Sequence, residues 1–123
     1  MNIDTDILDQ IVNEQKISAL GLVTPDGRPH CTPIWVHHFQ GKLYIFSHSS
    51  RAKVRYAREN PDCMIAFDFA SLRGTIKLIS KGSETYNQVR DLPDARYGDN
   101  DQLEQYKENW DVALEITPTK LYR

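Results

Sequence analysis

Residues Ile17 to Ser47, ISALGLVTPDGRPHCTPIWVHHFQGKLYIFS, decide the fold of this chain. The apolar run Ile17 to Val23 stops at Pro25-Asp26-Gly27, where proline fixes φ and glycine admits a positive φ, so it reads as a strand entering a hairpin. His30 to His38 resumes as a second strand. Gln40-Gly41 supplies another turn, after which Lys42 to Ser47 sets Leu43 and Ile45 on one face and Tyr44 and Phe46 on the other. Three antiparallel strands follow from this stretch alone.

Upstream, Asp4 to Lys16 places Ile7, Leu8, Ile11 and Val12 at helical spacing behind a cap at Asp4 or Thr5. Downstream, Arg51 to Asn60 carries helix formers with Val54 and Ala57 on one side, and Pro61 ends it. Cys63 to Phe69 and Thr75 to Ile79 read as strands joined through Ser71-Leu72-Arg73-Gly74, and Val112 to Ile116 with Leu121-Tyr122 closes the chain. Ser83 to Arg90 and Asp101 to Trp110 read as helices on either side of a turn-rich loop from Leu92 to Asp99. The expectation is one domain over residues 1–123, mainly β with short helices, whose roughly six antiparallel strands form a small closed or partly open barrel rather than a βαβ fold.

The 15 Lys and Arg against 17 Asp and Glu leave a net charge of −2, which supplies no global attraction to nucleic acid or to anionic lipid. Arg51, Lys53, Arg55 and Arg58 accordingly read as a solvated helix face, and no nucleic-acid partner is expected. Cys31 and Cys63 form no CxxC or metal spacing and sit in apolar stretches, where a free thiol packs as a small hydrophobe; this fits a reducing cytoplasm. No run of 18 apolar residues occurs, and Met1-Asn2-Ile3-Asp4 lacks the basic and then apolar pattern of a signal peptide, so neither membrane insertion nor export is expected. His37 and His38 point to opposite faces of a strand, as do His30 and Cys31, so neither adjacent pair converges on one ion and no metal is expected. There is no GxSxG, and the serines at 47, 49 and 50 have no base or orienter visible in the sequence.

The segment with chemistry in it is Ser47-His48-Ser49-Ser50-Arg51-Ala52-Lys53, between a strand and a helix N-terminus. Free N–H groups there, with three serine hydroxyls, suit a phosphate. Arg51 and Lys53 sit at the positive end of the helix dipole, an unfavourable place for cations until an anion arrives. A serine-capped helix with solvated basic side chains would look the same by spacing. Trp35, Tyr44 and Phe46 on adjoining strands, and Tyr106 and Trp110 near the last helix, read equally as core packing or as walls around a planar ring.

Ala19 to Asp68 resembles the pyridoxamine 5′-phosphate oxidase-like family of flavin-binding split β-barrels. The resemblance rests on the DGRPH turn, the TPIW strand, the hairpin, a Ser-rich turn with Lys53 six residues beyond Ser47, and the ENP helix stop; RGTIKLIS and ITPTKLYR extend it over most of the chain. It implies a six-stranded split barrel that forms a homodimer and binds FMN in clefts at the interface. By position, Thr32, Pro33, Ile34 and Trp35 would line the isoalloxazine largely through their main chain. Ser47 and His48 would meet the ribityl phosphate, and Arg51 and Lys53 would hold it. Two positions depart from the authentic oxidases: Thr32 stands where they carry a phosphate-binding arginine, and His37 where they carry a lysine near the substrate. His37 is therefore expected beside the substrate rather than in the core. The implied activity is an FMN-dependent oxidoreductase on an unassigned small substrate. Relatives that use a deazaflavin coenzyme, or that bind flavin or haem without catalysis, give the alternatives.

Overall fold

The computed structural model describes residues 3–123, so the reading of Met1-Asn2 as free of an export signal lies outside the described residues. Helix α1 (Thr5–Asn13) starts where the Asp4 carboxylate accepts the N–H of Asp6 at 2.7 Å, and it buries Leu8, Ile11 and Val12. Then come β1 (Ser18–Val23), β2 (Pro29–Ile34), β3 (His37–Phe39), β4 (Lys42–Ser47), α2 (Ala52–Glu59), β5 (Asp62–Ala66) and β6 (Ser71–Ser80). Helices α3 (Glu84–Val89), α4 (Leu92–Tyr97) and α5 (Leu103–Asn109) precede the closing strand β7 (Val112–Tyr122).

The strands form one antiparallel sheet of seven, in the order β2-β1-β5-β6-β7-β4-β3. Mainly β with short helices is the architecture expected, but the sheet has seven strands where six were expected. His30 to His38 is two strands at opposite edges of the sheet, separated only by Trp35 and Val36. Three Cα steps cannot span more than roughly 11 Å. The sheet must therefore roll until its edges lie near one another, and it stays open because β2 bonds only β1 and β3 only β4.

The rolled sheet has two apolar layers. Leu20, Leu22, Leu43, Ile45, Ile65, Leu72, Leu114 and Ile116 fill the interior with α1 and with Val54 and Ala57 of α2. Tyr44, Phe46, Ile79 and Ala113 face the other way and pack against Tyr86 and Val89 of α3. Strand β4 is thus buried on both faces, which places Ser47 and the turn after it at the end of the most enclosed strand of the sheet. The Tyr44 hydroxyl donates to Glu115 Oε2 at 2.9 Å and Lys42 Nζ approaches Oε1 at 3.3 Å, so the buried Glu115 carboxylate is satisfied.

Other expectations shift. The join read at Ser71–Gly74 is already strand; the turn is at Phe67 to Ala70, closed by the Phe67 N–H donating to Ala70 O at 2.8 Å. Strand β7 is continuous through Thr117–Lys120, with a register shift opposite Arg73/Gly74, where Gly74 faces Pro118. A Cβ on Gly74 would lie 2.6 Å from Ile116 Cγ2 and 2.9 Å from Thr117 O, so glycine is what lets the strands approach. Part of the loop from Leu92 to Asp99 is α4, with Pro93 in its first turn, a place proline tolerates. Cys63 is buried, but Cys31 is exposed, because it faces outward from an edge strand opposite Gly21. Among the described residues no helix is long and apolar enough to cross a membrane.

Candidate functional site

Strand β4 ends in Phe46-Ser47, and the chain turns through His48 to Arg51 before α2 begins. The Arg51 N–H donates to His48 O at 2.9 Å, and Arg51 caps the helix with extended backbone and no side-chain bond. The Val54 N–H donates to Arg51 O at 3.1 Å, but no cap side chain takes up the N–H groups of Ala52 and Lys53. Asp111, just before β7, clasps the turn from 62 residues away: its Oδ1 accepts the Ser49 N–H at 2.7 Å and its Oδ2 the Ser49 hydroxyl at 2.8 Å. The Asp111 N–H in turn donates to Ser47 O at 3.1 Å, extending the β4–β7 pairing. Desolvation works against the Asp111 carboxylate, yet the Ser49 bonds and the neighbouring His48 hold it below the usual carboxylate range. His48 Nε2 stands 3.5 Å from Asp111 Oδ2, and its Nδ1 accepts the Ser50 N–H at 3.1 Å.

Two adjoining cavities open at this turn, of about 440 and 390 Å³, sharing Phe46, Lys53, Tyr106 and Trp110 as walls. The first is polar, with His30, Thr32, Ser47, His48, Arg51 and Asn109 around it. The second is apolar, with Ile17, Pro33, Ile34, Trp35 and Ile45. All eight positions expected to bind cofactor, Thr32, Pro33, Ile34, Trp35, Ser47, His48, Arg51 and Lys53, line one chamber or the other. Lys53 is half-buried; burial and then the nearby Arg51 push its pKa down, and among the described residues neither cation pairs with a carboxylate. An anion arriving here would relieve both penalties.

The apolar wall is set from behind. Trp35 stacks on Tyr97 of α4 with centroids 4.1 Å apart and planes 7° from parallel, and Tyr106 meets it edge-on at 5.6 Å. The Tyr97 hydroxyl donates to Lys16 O at 2.6 Å. Arg96 Nη1 donates to Val36 O at 3.0 Å, while Nη2 reaches Val12 O in the last turn of α1 and Gln15 O just beyond it. Phe46 stacks on Trp110 at 5.4 Å. Tyr44, by contrast, lines neither chamber and belongs to the second apolar layer.

His37 is corrected by its surroundings. Pairing of β3 with β4 sets it opposite Tyr44, and it lies between the rings of Phe46 and Tyr97 at 5.8 and 5.4 Å, only 3% exposed and outside both chambers. It is a core histidine. Burial, with Arg96 nearby, pushes its pKa down to about 3, so it is neutral near pH 7. Unfolding frees the imidazole to protonate at its ordinary 6.5, whereas the folded one stays neutral down to about 3. Between those values the unfolded chain binds the extra proton, so this contribution is fully present above pH 6.5 and falls by about 1.4 kcal/mol per pH unit below it. Urea melts are expected to show about 2 kcal/mol less stability at pH 5 than at pH 6.5. His37→Phe is expected to flatten that slope; an unchanged slope would assign it to other groups.

Among the described residues no group of three or more His, Cys, Asp or Glu is arranged to hold a metal. The residues that sequence did not assign are Asp111, Arg96, Tyr97 and Asn109. Tyr106 and Trp110 were visible as aromatics near a helix end, but nothing local pointed them at the cleft.

The family model for pyridoxamine 5′-phosphate oxidase matches residues 5–123. No curated protein matches the chain. Among solved structures, an F420 reductase is 18% identical with a TM-score of 0.72, covering 92% of this chain and 94% of that one. The haem storage protein HutZ from Vibrio cholerae is 16% identical with a TM-score of 0.76, covering 99% and 94%. An FAD-binding protein from Mesorhizobium loti is 16% identical with a TM-score of 0.73, covering 97% and 92%. At these identities the likeness is one of fold.

Proposed function

The chain belongs to the pyridoxamine 5′-phosphate oxidase family, and from that premise we propose that it is a homodimeric FMN-binding oxidoreductase of the cytoplasm acting on a small substrate. The observation that carries the reading is the meeting of a cationic chamber and an apolar one at Lys53. A phosphorylated tail and a flat ring joined in one ligand need that pairing of environments. Ser47, His48, Arg51 and Lys53 hold the phosphate in this reading, beside the uncapped start of α2. Thr32 to Trp35 lie on and just past β2, a sheet edge whose outer N–H and C=O groups have no ladder partner and are free to bond the ring's polar rim. The bound flavin supplies the hydride or electron chemistry; the protein binds it, orients it and excludes water.

The homodimer is supported by the outward face of β2, β1 and β5. Cys31 and Pro33, Val23, and Met64 are exposed there around Gly21, and Ile17 and Phe69 project nearby. An apolar sheet face of this kind suits a second sheet. The test is titration of cofactor-free protein with FMN and with riboflavin, followed by light scattering of the FMN-loaded form. FMN is expected to bind at least about tenfold more tightly than riboflavin, because only FMN carries the charge-assisted contacts, and the loaded protein to have the mass of two chains. Equal affinities, a monomer, or a haem or deazaflavin spectrum in freshly purified protein would overturn the reading.

A further inference from the structure

We propose that residues 98–110 form a strap over the two chambers, latched by Lys107, that opens to admit the cofactor and closes on it; this rests on the flavin reading and names how that site is opened and shut. Both ends of the strap are fixed. On one side, α4 is tied down by Arg96 on Val36 O and by the Tyr97 hydroxyl on Lys16 O. On the other, Asp111 holds Ser49 through both carboxylate oxygens and donates its N–H to Ser47 O. Between these anchors lies α5, a seven-residue helix that buries only Leu103 and starts without a side-chain cap. A helix this short depends on packing to stay formed, and a segment with few buried apolar contacts opens locally at low cost.

What the strap rests on is the cleft. Tyr106 and Trp110 wall both chambers and Asn109 the polar one; Tyr106 meets the edge of Trp35 at 5.6 Å, and Trp110 stacks on Phe46 at 5.4 Å. Outside the cleft, Lys107 latches the strap to the anchored α4: its Nζ stands 3.0 Å from both Asp94 carboxylate oxygens and 3.8 Å from Asp91 Oδ1. The remaining walls cannot follow, since β2 and β4 are held by sheet pairing and α2 by Val54 and Ala57 in the core. A ligand in the chambers adds contacts that exist only while Tyr106 and Trp110 are in place, so binding shifts the strap toward closure.

Hydrogen–deuterium exchange of the whole protein, empty and FMN-saturated, tests this, with FMN binding followed separately by quenching of flavin fluorescence. In the empty protein, the amides of residues 98–110 are expected to exchange at least about tenfold faster than those of β7. FMN is expected to slow them by at least about fivefold and to leave α1 as it was. Lys107→Met keeps the stem and removes the charge; it is expected to speed exchange of the strap in the empty protein by about twofold to fivefold. Lys77→Met, at an exposed strand position, is the control and should change nothing. Exchange at residues 98–110 as slow as in β7, bound FMN that leaves it unaltered, or indifference to Lys107→Met would overturn the strap and leave the flavin reading standing. Failure of FMN to be quenched would overturn the flavin reading, and with it the closure of the strap on that cofactor.

Discussion

Replacing Lys53 by alanine is expected to weaken FMN binding by roughly tenfold to a hundredfold, corresponding to about 1.5–3 kcal/mol for a charge-assisted contact to phosphate. Riboflavin, which lacks the phosphate, should lose little. The half-buried lysine stem also walls both chambers, so alanine removes packing as well as charge. Lys53→Met keeps the stem and loses the charge; it should reproduce the FMN loss while restoring whatever riboflavin affinity alanine gave up. Titration calorimetry on both ligands, with circular dichroism to verify the fold, makes the comparison. Equal losses of FMN and riboflavin affinity in Lys53→Met would show that the ammonium group does not recognise phosphate.

A second large effect is expected far from the cleft. Gly74→Val puts a Cβ where Ile116 Cγ2 and the Thr117 carbonyl already stand, 2.6 and 2.9 Å away, and the carbonyl belongs to the ladder. Relief requires β6 and β7 to part, and the register shift beside Gly74 shows the pairing is already adjusted around that contact. The cost is expected to be about 3 kcal/mol, lowering the melting temperature by about 10 °C. Thr75→Val, one residue on and exposed, is the control and should melt with the parent. A Gly74→Val protein as stable as its parent would mean that the strands give way freely at the bulge.

The two cases mark what local sequence can and cannot carry. Alternation in Lys42 to Ser47 located β4, and the Pro25-Asp26-Gly27 turn located the first hairpin, because both are set by neighbours along the chain. The break at Trp35-Val36 was not legible, since apolar residues continue straight through it. It is imposed by β2 and β3 pairing with strands at opposite edges of the rolled sheet. Helix α4 was hidden by Pro93 and Gly98, which signal turns, while the Arg96 and Tyr97 bonds that tie it down reach residues some 80 positions earlier. At the site, the Ser47 to Lys53 turn and the strand Thr32 to Ile34 with Trp35 could be named in advance because both chambers take most of their polar and strand-edge wall from contiguous stretches. Asp111 could not, since its partners are 62 residues back and only the β4–β7 register brings them together. His37 was misplaced for the converse reason: its position matched a pattern, but the rings that bury it come from β4 and α4.

The Asp111 clasp also bears on how fast a ligand comes and goes. A serine-rich turn left to itself samples many shapes, and a phosphate would have to gather its donors one at a time. Here Ser49 is bound through both backbone and side chain to Asp111, immediately before the interior strand β7, so the entropy of arranging the turn is spent during folding. If the turn holds a phosphate as proposed, capture would need little rearrangement there, and release would be timed by the breaking of ligand contacts rather than by the turn coming open.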